Sequence, residues 1–203
     1  MTPAAAIIKL QEADKALCAS QPSPFPLPIT GLEALVAGSL LALERKDWWV
    51  PGLRERVGAV LRGAPVERLK DGFSGARPYR VAPPSSSPAF RALTAVGLAV
   101  AEPTQTTLVH LGVGSISNGD FFEALNLAAL LRPNIIFVIA VIELTNKAPL
   151  GPQLATSPSK LAQAFDLPSS TVDGRDASAV LKAVKSAKKR GGPHLIQAEL
   201  SHG

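Results

Sequence analysis

The spacing of hydrophobic residues changes about halfway along the chain, from helical runs to short apolar runs that alternate with helical segments. In the first half, helical spacing over residues 3–18, 30–43 and 53–61 predicts three helices. Between the first two, four prolines at alternate positions predict an extended strap over residues 20–28. We therefore divide the chain into an N-terminal helix with its proline-rich strap, residues 1–29, and a single domain, residues 30–203.

Glycine and proline divide the helical segments of this first half from one another. The dipeptide Trp48-Trp49, followed by Pro51-Gly52, predicts a break after the second helix, with the two indoles as a packing anchor. Residues 73–87 are rich in glycine, proline and serine and are predicted to form a loop. The next helix is expected over residues 88–101, where small residues permit close contact with another helix or subunit.

In the second half, residues 106–142 have the pattern of a buried strand, a glycine turn, a largely apolar helix and a second buried strand. We predict strands at residues 106–111, 134–141, 171–172 and 194–200. Further predictions are a polar loop over residues 145–159 and a helix over residues 177–190 that Asp176 caps. Strands alternating with helices predict a three-layer α/β domain with a mostly parallel sheet.

Composition and charge restrict the classes of protein and partner. The sequence has one cysteine, Cys18, and no apolar run near the roughly 20 residues of a membrane span, so we expect a cytoplasmic protein without a membrane anchor. The net charge is +5, and part of it lies in one predicted helix: Lys182, Lys185, Lys188, Lys189 and Arg190. We interpret these as a solvated helix end. Nucleic-acid binding is the alternative, although an aromatic content of 5% offers few stacking platforms.

The central unit resembles the α-subunit of the thiamine-diphosphate-dependent E1 component of 2-oxoacid dehydrogenases. The resemblance rests on Gly112-x-Gly114 and residues 118–130 and 136–138, with further matches at residues 93–101, 172–176 and 192–199. It implies a thiamine-diphosphate-binding fold and a cofactor site at Arg54, Gly112, Gly114 and Ser115. The family's cofactor lies between α- and β-type subunits, so the resemblance also implies a homodimer or a complex with a β-like chain.

The sequence departs from the family pattern at the cofactor motif. Val113 replaces the aspartate that binds Mg²⁺ in the family's Gly-Asp-Gly turn, and Val141, followed by Ile142, replaces the asparagine ligand. Leu53 replaces a tyrosine, and residues 73–79 lack the histidine of the family's glycine loop. The given sequence also ends at residues 201–203, about where we expect the family's second cofactor-contacting loop to start.

These replacements predict a non-catalytic relative that binds neither Mg²⁺ nor thiamine diphosphate by itself. Mg²⁺ prefers oxygen ligands in octahedral geometry, which a valine does not supply. Such a chain would serve as a structural or regulatory subunit, with the four family positions vestigial. The alternative is an active 2-oxoacid dehydrogenase subunit that holds Mg²⁺ and thiamine diphosphate through backbone groups and a partner chain.

Other polar residues allow weaker hypotheses. His110 lies in a predicted apolar strand, and we interpret it as a core histidine hydrogen-bonded to backbone. Ser115, Ser117 and Asn118 precede the central helix and offer an alternative site for a bare phosphate, because helix N-termini bind anions.

Overall fold

The computed structural model describes residues 1–20, 27–70, 77–83, 87–142, 144–145, 148–149 and 154–200. Most of the predicted strap, the start of the predicted glycine loop at residues 73–76, and residues 201–203 therefore lie outside the described residues. Among the described helices, none is both long and apolar enough for a membrane crossing.

The chain forms seven α-helices and seven strands in the described residues. The helices are α1 (Pro3–Ala19), α2 (Glu33–Ala42), α3 (Val66–Lys70), α4 (Phe90–Ala101), α5 (Gly119–Leu131), α6 (Pro158–Ala164) and α7 (Ala177–Arg190). The strands are β1 (Trp48–Val50), β2 (Thr107–Gly112), β3 (Ile135–Val141), β4 (Leu144–Thr145), β5 (Ala148–Pro149), β6 (Ser169–Asp173) and β7 (His194–Glu199). Short 3₁₀ helices cover Glu55–Arg62, Arg77–Tyr79 and Val113–Ser115.

Five strands form one parallel sheet in the order β1-β2-β3-β7-β6. Strands buried on both faces read as continuous apolar runs, which is why residues 135–140 are all buried. One face carries α2, α7 and the 3₁₀ helix over residues 55–62, with α1 packed in turn against α2 and that 3₁₀ helix. The other face packs against α4, α5 and α6. The three-layer α/β architecture predicted from the alternating pattern is confirmed.

Local signals placed most helix ends correctly. The Thr2 side chain accepts a hydrogen bond from the Ala5 N–H ahead of Pro3, and Asp176 accepts from the N–H groups of Ser178 and Ala179. Side chains that accept these otherwise unpaired N–H groups fix where a helix begins.

The prediction that residues 48–52 only interrupt helices was wrong. Trp48–Val50 is the edge strand β1, paired in parallel with β2, and Trp49 also bridges to Val81. Three residues are too few for a period-2 pattern to be recognised, and the proline and glycine that follow suggested a turn. The indoles do pack: Trp49 is fully buried.

Four smaller expectations were also corrected. The helix expected over residues 53–61 is a 3₁₀ helix over Glu55–Arg62, and α4 begins at Phe90 rather than at Pro88. The antiparallel pair β4 and β5 lies at the start of the loop expected at residues 145–159. The strand predicted at residues 171–172 extends over Ser169–Asp173. These differences concern element ends and short segments, where local signals are weakest.

Candidate functional site

A cavity of about 310 Å³ lies at the carboxyl ends of β2 and β3. This is the edge at which open parallel sheets bind their ligands. The lining comes from four parts of the chain: Leu27 and Leu32; Leu53, Arg54 and Glu55; Pro88 and Arg91; and Gly112, Val113, Gly114, Ser115, Ala140 and Ile142.

The structure brings together all four residues proposed as vestigial cofactor positions. Gly112 ends β2, Gly114 and Ser115 follow in the 3₁₀ turn, and Arg54 approaches from the other side of the cavity. The Arg54 guanidinium is already engaged, however. Its Nε donates to the Pro28 carbonyl at 3.1 Å and its Nη2 to the Thr30 carbonyl at 2.7 Å. This side chain therefore anchors the segment that follows the strap.

Of the two positions that the resemblance assigns to metal ligands, Val113 lies at this cavity and Val141 does not. Val113 lines it, and Ile142 lines it beyond the end of β3, whereas Val141 packs with the hydrophobic cluster on the other face of the sheet. Successive strand residues point to opposite faces, so Val141 and Ile142 cannot both face the cavity.

The donor set around the cavity does not fit a magnesium diphosphate. Its described lining contains one carboxylate, Glu55, and the described residues contain no group of three or more His, Cys, Asp or Glu side chains placed to hold a metal. Mg²⁺ bound to phosphates usually takes one or two carboxylates plus water. Glu55 does not come from either strand end: Val113 follows β2, Val141 ends β3 and Ile142 follows it. Two aliphatic side chains beside the glycine turn desolvate the space without offering a ligand.

The residues of the alternative phosphate site do not converge. Ser115 lines the cavity, but the Asn118 side chain accepts a hydrogen bond from the Asp120 N–H at 3.0 Å. The start of α5 is therefore capped by its own side chain. Ser117 is exposed and does not line the cavity.

Two charged residues of the cavity were missed by the sequence analysis. Glu55 is only 7% exposed and Arg91 only 5%. Burial lowers the pKa of Arg91, and the nearby Glu55 carboxylate partly offsets that shift. The helical pattern could have revealed Arg91. It lies on the same face of α4 as Ala95 and Ala99, which are both fully buried, so an arginine occupies a position in the apolar stripe of this helix.

His110 lies in β2 away from the cavity lining and is 1% exposed. The Trp49 Nε1–H donates to His110 Nδ1 at 3.1 Å, and His110 Nε2 lies 3.0 Å from Ser39 Oγ. Because an indole nitrogen only donates, Nδ1 must be unprotonated and Nε2–H donates to Ser39. The core histidine was correctly anticipated, but its partners are side chains rather than backbone.

Burial lowers the pKa of His110 from 6.5 to about 3, with Arg91 adding to the shift. Between pH 6.5 and pH 3, His110 is therefore protonated in the unfolded chain but stays neutral in the folded chain. The free energy of unfolding falls as the pH falls through this range. At pH 5 this lowers the free energy of unfolding by about 2 kcal/mol relative to pH 7.

Urea unfolding at pH 7 and pH 5 measures this effect, with His110→Asn as the comparison. The variant is expected to be less stable at pH 7 but to lose about 2 kcal/mol less on acidification. Equal losses in the two proteins would contradict a neutral, buried His110.

The basic residues of α7 divide into two groups. Lys182, Lys185, Lys189 and Arg190 are exposed, as expected for a solvated helix end. Lys188 is not: its side chain is 14% exposed, and Nζ lies 2.5 Å from Asp47 Oδ2 and 3.3 Å from Glu44 Oε1. The prediction that these charges are solvated was wrong for Lys188, because its ammonium group pairs with the buried carboxylate of Asp47.

Fold and site together define an α/β domain with a glycine turn at the carboxyl end of a parallel sheet and a cavity beside it. The chain belongs to the dehydrogenase E1 component family, whose model matches residues 81–199. This match covers β2, β3, β6 and β7 of the main sheet, together with the glycine turn.

Curated relatives extend the similarity beyond that region. The chain is 30% identical over 189 residues to the pyruvate dehydrogenase E1 component subunit alpha of Staphylococcus aureus, covering 85% of this chain and 51% of the relative. It is 32% identical over 205 residues to the protein of the same name from Porphyra purpurea, covering 83% of this chain and 58% of the relative. The 3-methyl-2-oxobutanoate dehydrogenase subunit alpha of Mycobacterium tuberculosis is 30% identical over 187 residues, covering 84% and 51%. The chain spans about half the length of these relatives.

Proposed function

We propose that this chain is a non-catalytic relative of the E1 α-subunits, acting as a structural or regulatory subunit that does not bind Mg²⁺ and thiamine diphosphate by itself. The observation that carries the proposal is the placement of Val113 and Ile142 against the cavity at the ends of β2 and β3. The family resemblance implies an aspartate at the position of Val113 and an asparagine at that of Val141, the residue before Ile142. The scaffold is retained while the oxygen ligands are missing.

The energetic argument is that a valine opposes ion binding as well as failing to support it. A divalent cation bound here would lose water without gaining a side-chain oxygen from either strand end. Arg54 would also have to leave the Pro28 and Thr30 carbonyls before it could contact a phosphate. Packing of the sheet depends on other residues, so the fold persists without the ligands.

A partner surface is compatible with the exposed side of α4. Ala92, Ala95 and Ala99 are buried within the chain, but Phe90 is 51% and Val100 46% exposed. Gly97 is exposed between them, and a Cβ built there would meet nothing within 4 Å. We therefore propose that a second copy or a β-like subunit packs against this small, apolar face.

The competing function is an active subunit of a 2-oxoacid dehydrogenase with thiamine diphosphate and Mg²⁺ held by backbone groups and a partner chain. The retained turn Gly112-x-Gly114 favours it, because a Cβ at either glycine would meet nothing within 4 Å and both line the cavity. Backbone amides can therefore approach a ligand there.

Calorimetric titration of thiamine diphosphate with Mg²⁺ separates the two functions. We expect no saturable binding in the micromolar range, for the purified chain alone and for its mixture with an E1 β-like chain, because the side-chain ligands for Mg²⁺ are missing. Light scattering on the same samples measures whether a dimer or a mixed complex forms.

Saturable binding in either sample would overturn the proposal and favour the active subunit. The variant Gly114→Leu identifies the site of any binding, since it places a bulky side chain at the cavity lining. Its matched control is Gly119→Leu, at an equally open glycine that does not line the cavity.

A further inference from the structure

Two opposite charges converge beside Gly52 at one side of the cavity. A Cβ built on Gly52 would lie 2.2 Å from Glu55 Oε2 and 3.1 Å from Arg91 Nη2. Both groups therefore occupy the space that a side chain at this position would fill. Glycine here leaves the carboxylate and the guanidinium facing the same small volume.

These charges are buried and lie near each other without forming a direct ion pair. The ion pairs of the described residues do not include Glu55 with Arg91, and the buried Arg91 Nε has no hydrogen-bond partner. Burying an ion is costly unless it is paired and hydrogen-bonded. The same guanidinium lines the cavity, where a ligand could accept hydrogen bonds from its terminal N–H groups.

The rest of the cavity wall is mostly apolar. Leu27, Leu32, Leu53, Val113 and Ile142 line it, while Arg54 is turned toward backbone carbonyls. The complementary molecule carries a negative and a positive charge close together and a hydrocarbon body beyond them. This pattern is typical of small-molecule sites, where few polar groups orient a ligand and apolar residues enclose it.

We infer that the cavity binds an aliphatic α-amino acid, with its carboxylate on Arg91, its ammonium group on Glu55 and its side chain against the leucines and Val113. This inference rests on the proposed function, because the cavity must be free of thiamine diphosphate. It gives the chain a ligand-sensing role.

Ligands with only part of this chemistry fit less well. A diphosphate places its negative charges near the Glu55 carboxylate, with no metal to offset the repulsion. A ligand with only a carboxylate can pair with Arg91 but leaves the buried Glu55 carboxylate without a positive partner. A ligand with only an amine can pair with Glu55 but leaves Arg91 without a negative partner. Of these ligands, only the zwitterionic amino acid pairs with both Arg91 and Glu55.

The test is calorimetric titration of the full chain with L-leucine, 4-methylpentanoate and 3-methylbutylamine. The last two have the same hydrocarbon body as leucine but lack the ammonium group or the carboxylate. We expect saturable binding of L-leucine and at least about tenfold weaker binding of each analogue, because a hydrogen bond to a charged group is lost. No binding of leucine, or equal binding of 4-methylpentanoate, overturns the inference.

Variants locate the binding. Glu55→Gln and Arg91→Gln are each expected to weaken leucine binding about tenfold to a hundredfold. Because a substitution at a buried charge can impair folding, Gly114→Leu serves as a second variant that adds a bulky side chain at the cavity lining, with Gly119→Leu as its control. Loss of binding in Gly114→Leu but not in Gly119→Leu supports the inference, and unchanged binding in Gly114→Leu overturns it.

The two titrations distinguish a failure of the amino-acid site from a failure of the proposed non-catalytic function. If neither leucine nor thiamine diphosphate with Mg²⁺ binds, the amino-acid site fails and the non-catalytic assignment stands. If thiamine diphosphate with Mg²⁺ binds, the non-catalytic assignment fails whatever leucine does, and the inference that rests on it fails as well.

Discussion

Replacing Asp47 by asparagine is expected to lower the free energy of unfolding by about 3–5 kcal/mol, since it removes one partner of a buried ion pair. Asp47 is 1% exposed. Its Oδ2 accepts from the Glu44 N–H at 2.7 Å and from Lys188 Nζ at 2.5 Å, and its Oδ1 accepts from the Thr106 N–H at 3.0 Å. An amide NH₂ in this place would face donors instead of accepting from them.

Urea unfolding measures the loss, and Asp173→Asn is the matched control. Asp173 pairs with Arg175, but both side chains are about half exposed, so its replacement is expected to cost far less stability than that of Asp47. If the two variants lost similar amounts of stability, Asp47 would not be the buried anchor that its contacts indicate.

The second large effect is expected at Trp49, where Trp49→Ala should cost about 3–5 kcal/mol. Trp49 is fully buried, and its ring meets His110 edge to face with centroids 6.0 Å apart. Its backbone joins β1 to the segment beyond the loop: the Trp49 N–H donates to the Arg80 carbonyl, and the Ala82 N–H donates to the Trp49 carbonyl. Truncation would leave both a cavity and an unpaired His110 Nδ1.

The variant Trp49→Phe separates the loss of packing from the loss of the hydrogen bond to His110. Phenylalanine keeps most of the buried apolar area but has no indole N–H donor. Its expected loss is about 1–3 kcal/mol. Thermal and urea unfolding of the two variants measure the difference. Equal destabilisation by alanine and phenylalanine would show that the hydrogen bond to His110, and not packing, fixes β1.

The sheet was predictable from the sequence where strands are long and apolar on both faces. Residues 135–140 have no polar interruption, so the buried strand was evident. The edge strand at Trp48–Val50 was not, because its identity depends on pairing with β2, more than fifty residues away in the chain. Local spacing contains no information on such pairing.

The candidate site was predictable in part for a similar reason. The family motif located the glycine turn and Arg54, all of which line the cavity. The motif could not show that Arg54 binds the Pro28 and Thr30 carbonyls, or that Lys188 reaches Asp47 from another helix. A charged side chain pairs with groups that the fold places next to it, and these can be far away in the sequence. Such partners can be identified only from the three-dimensional structure.

The packing of α2 against α7 has a consequence for synthesis of the chain. Gly38 lies so close to α7 that a Cβ there would be 2.5 Å from the Ala177 carbonyl oxygen, and Lys188 Nζ donates to the Ala42 carbonyl 146 positions earlier. On the ribosome, α2 therefore emerges long before the helix that covers it. Until α7 follows, that surface stays open to water and to chaperones.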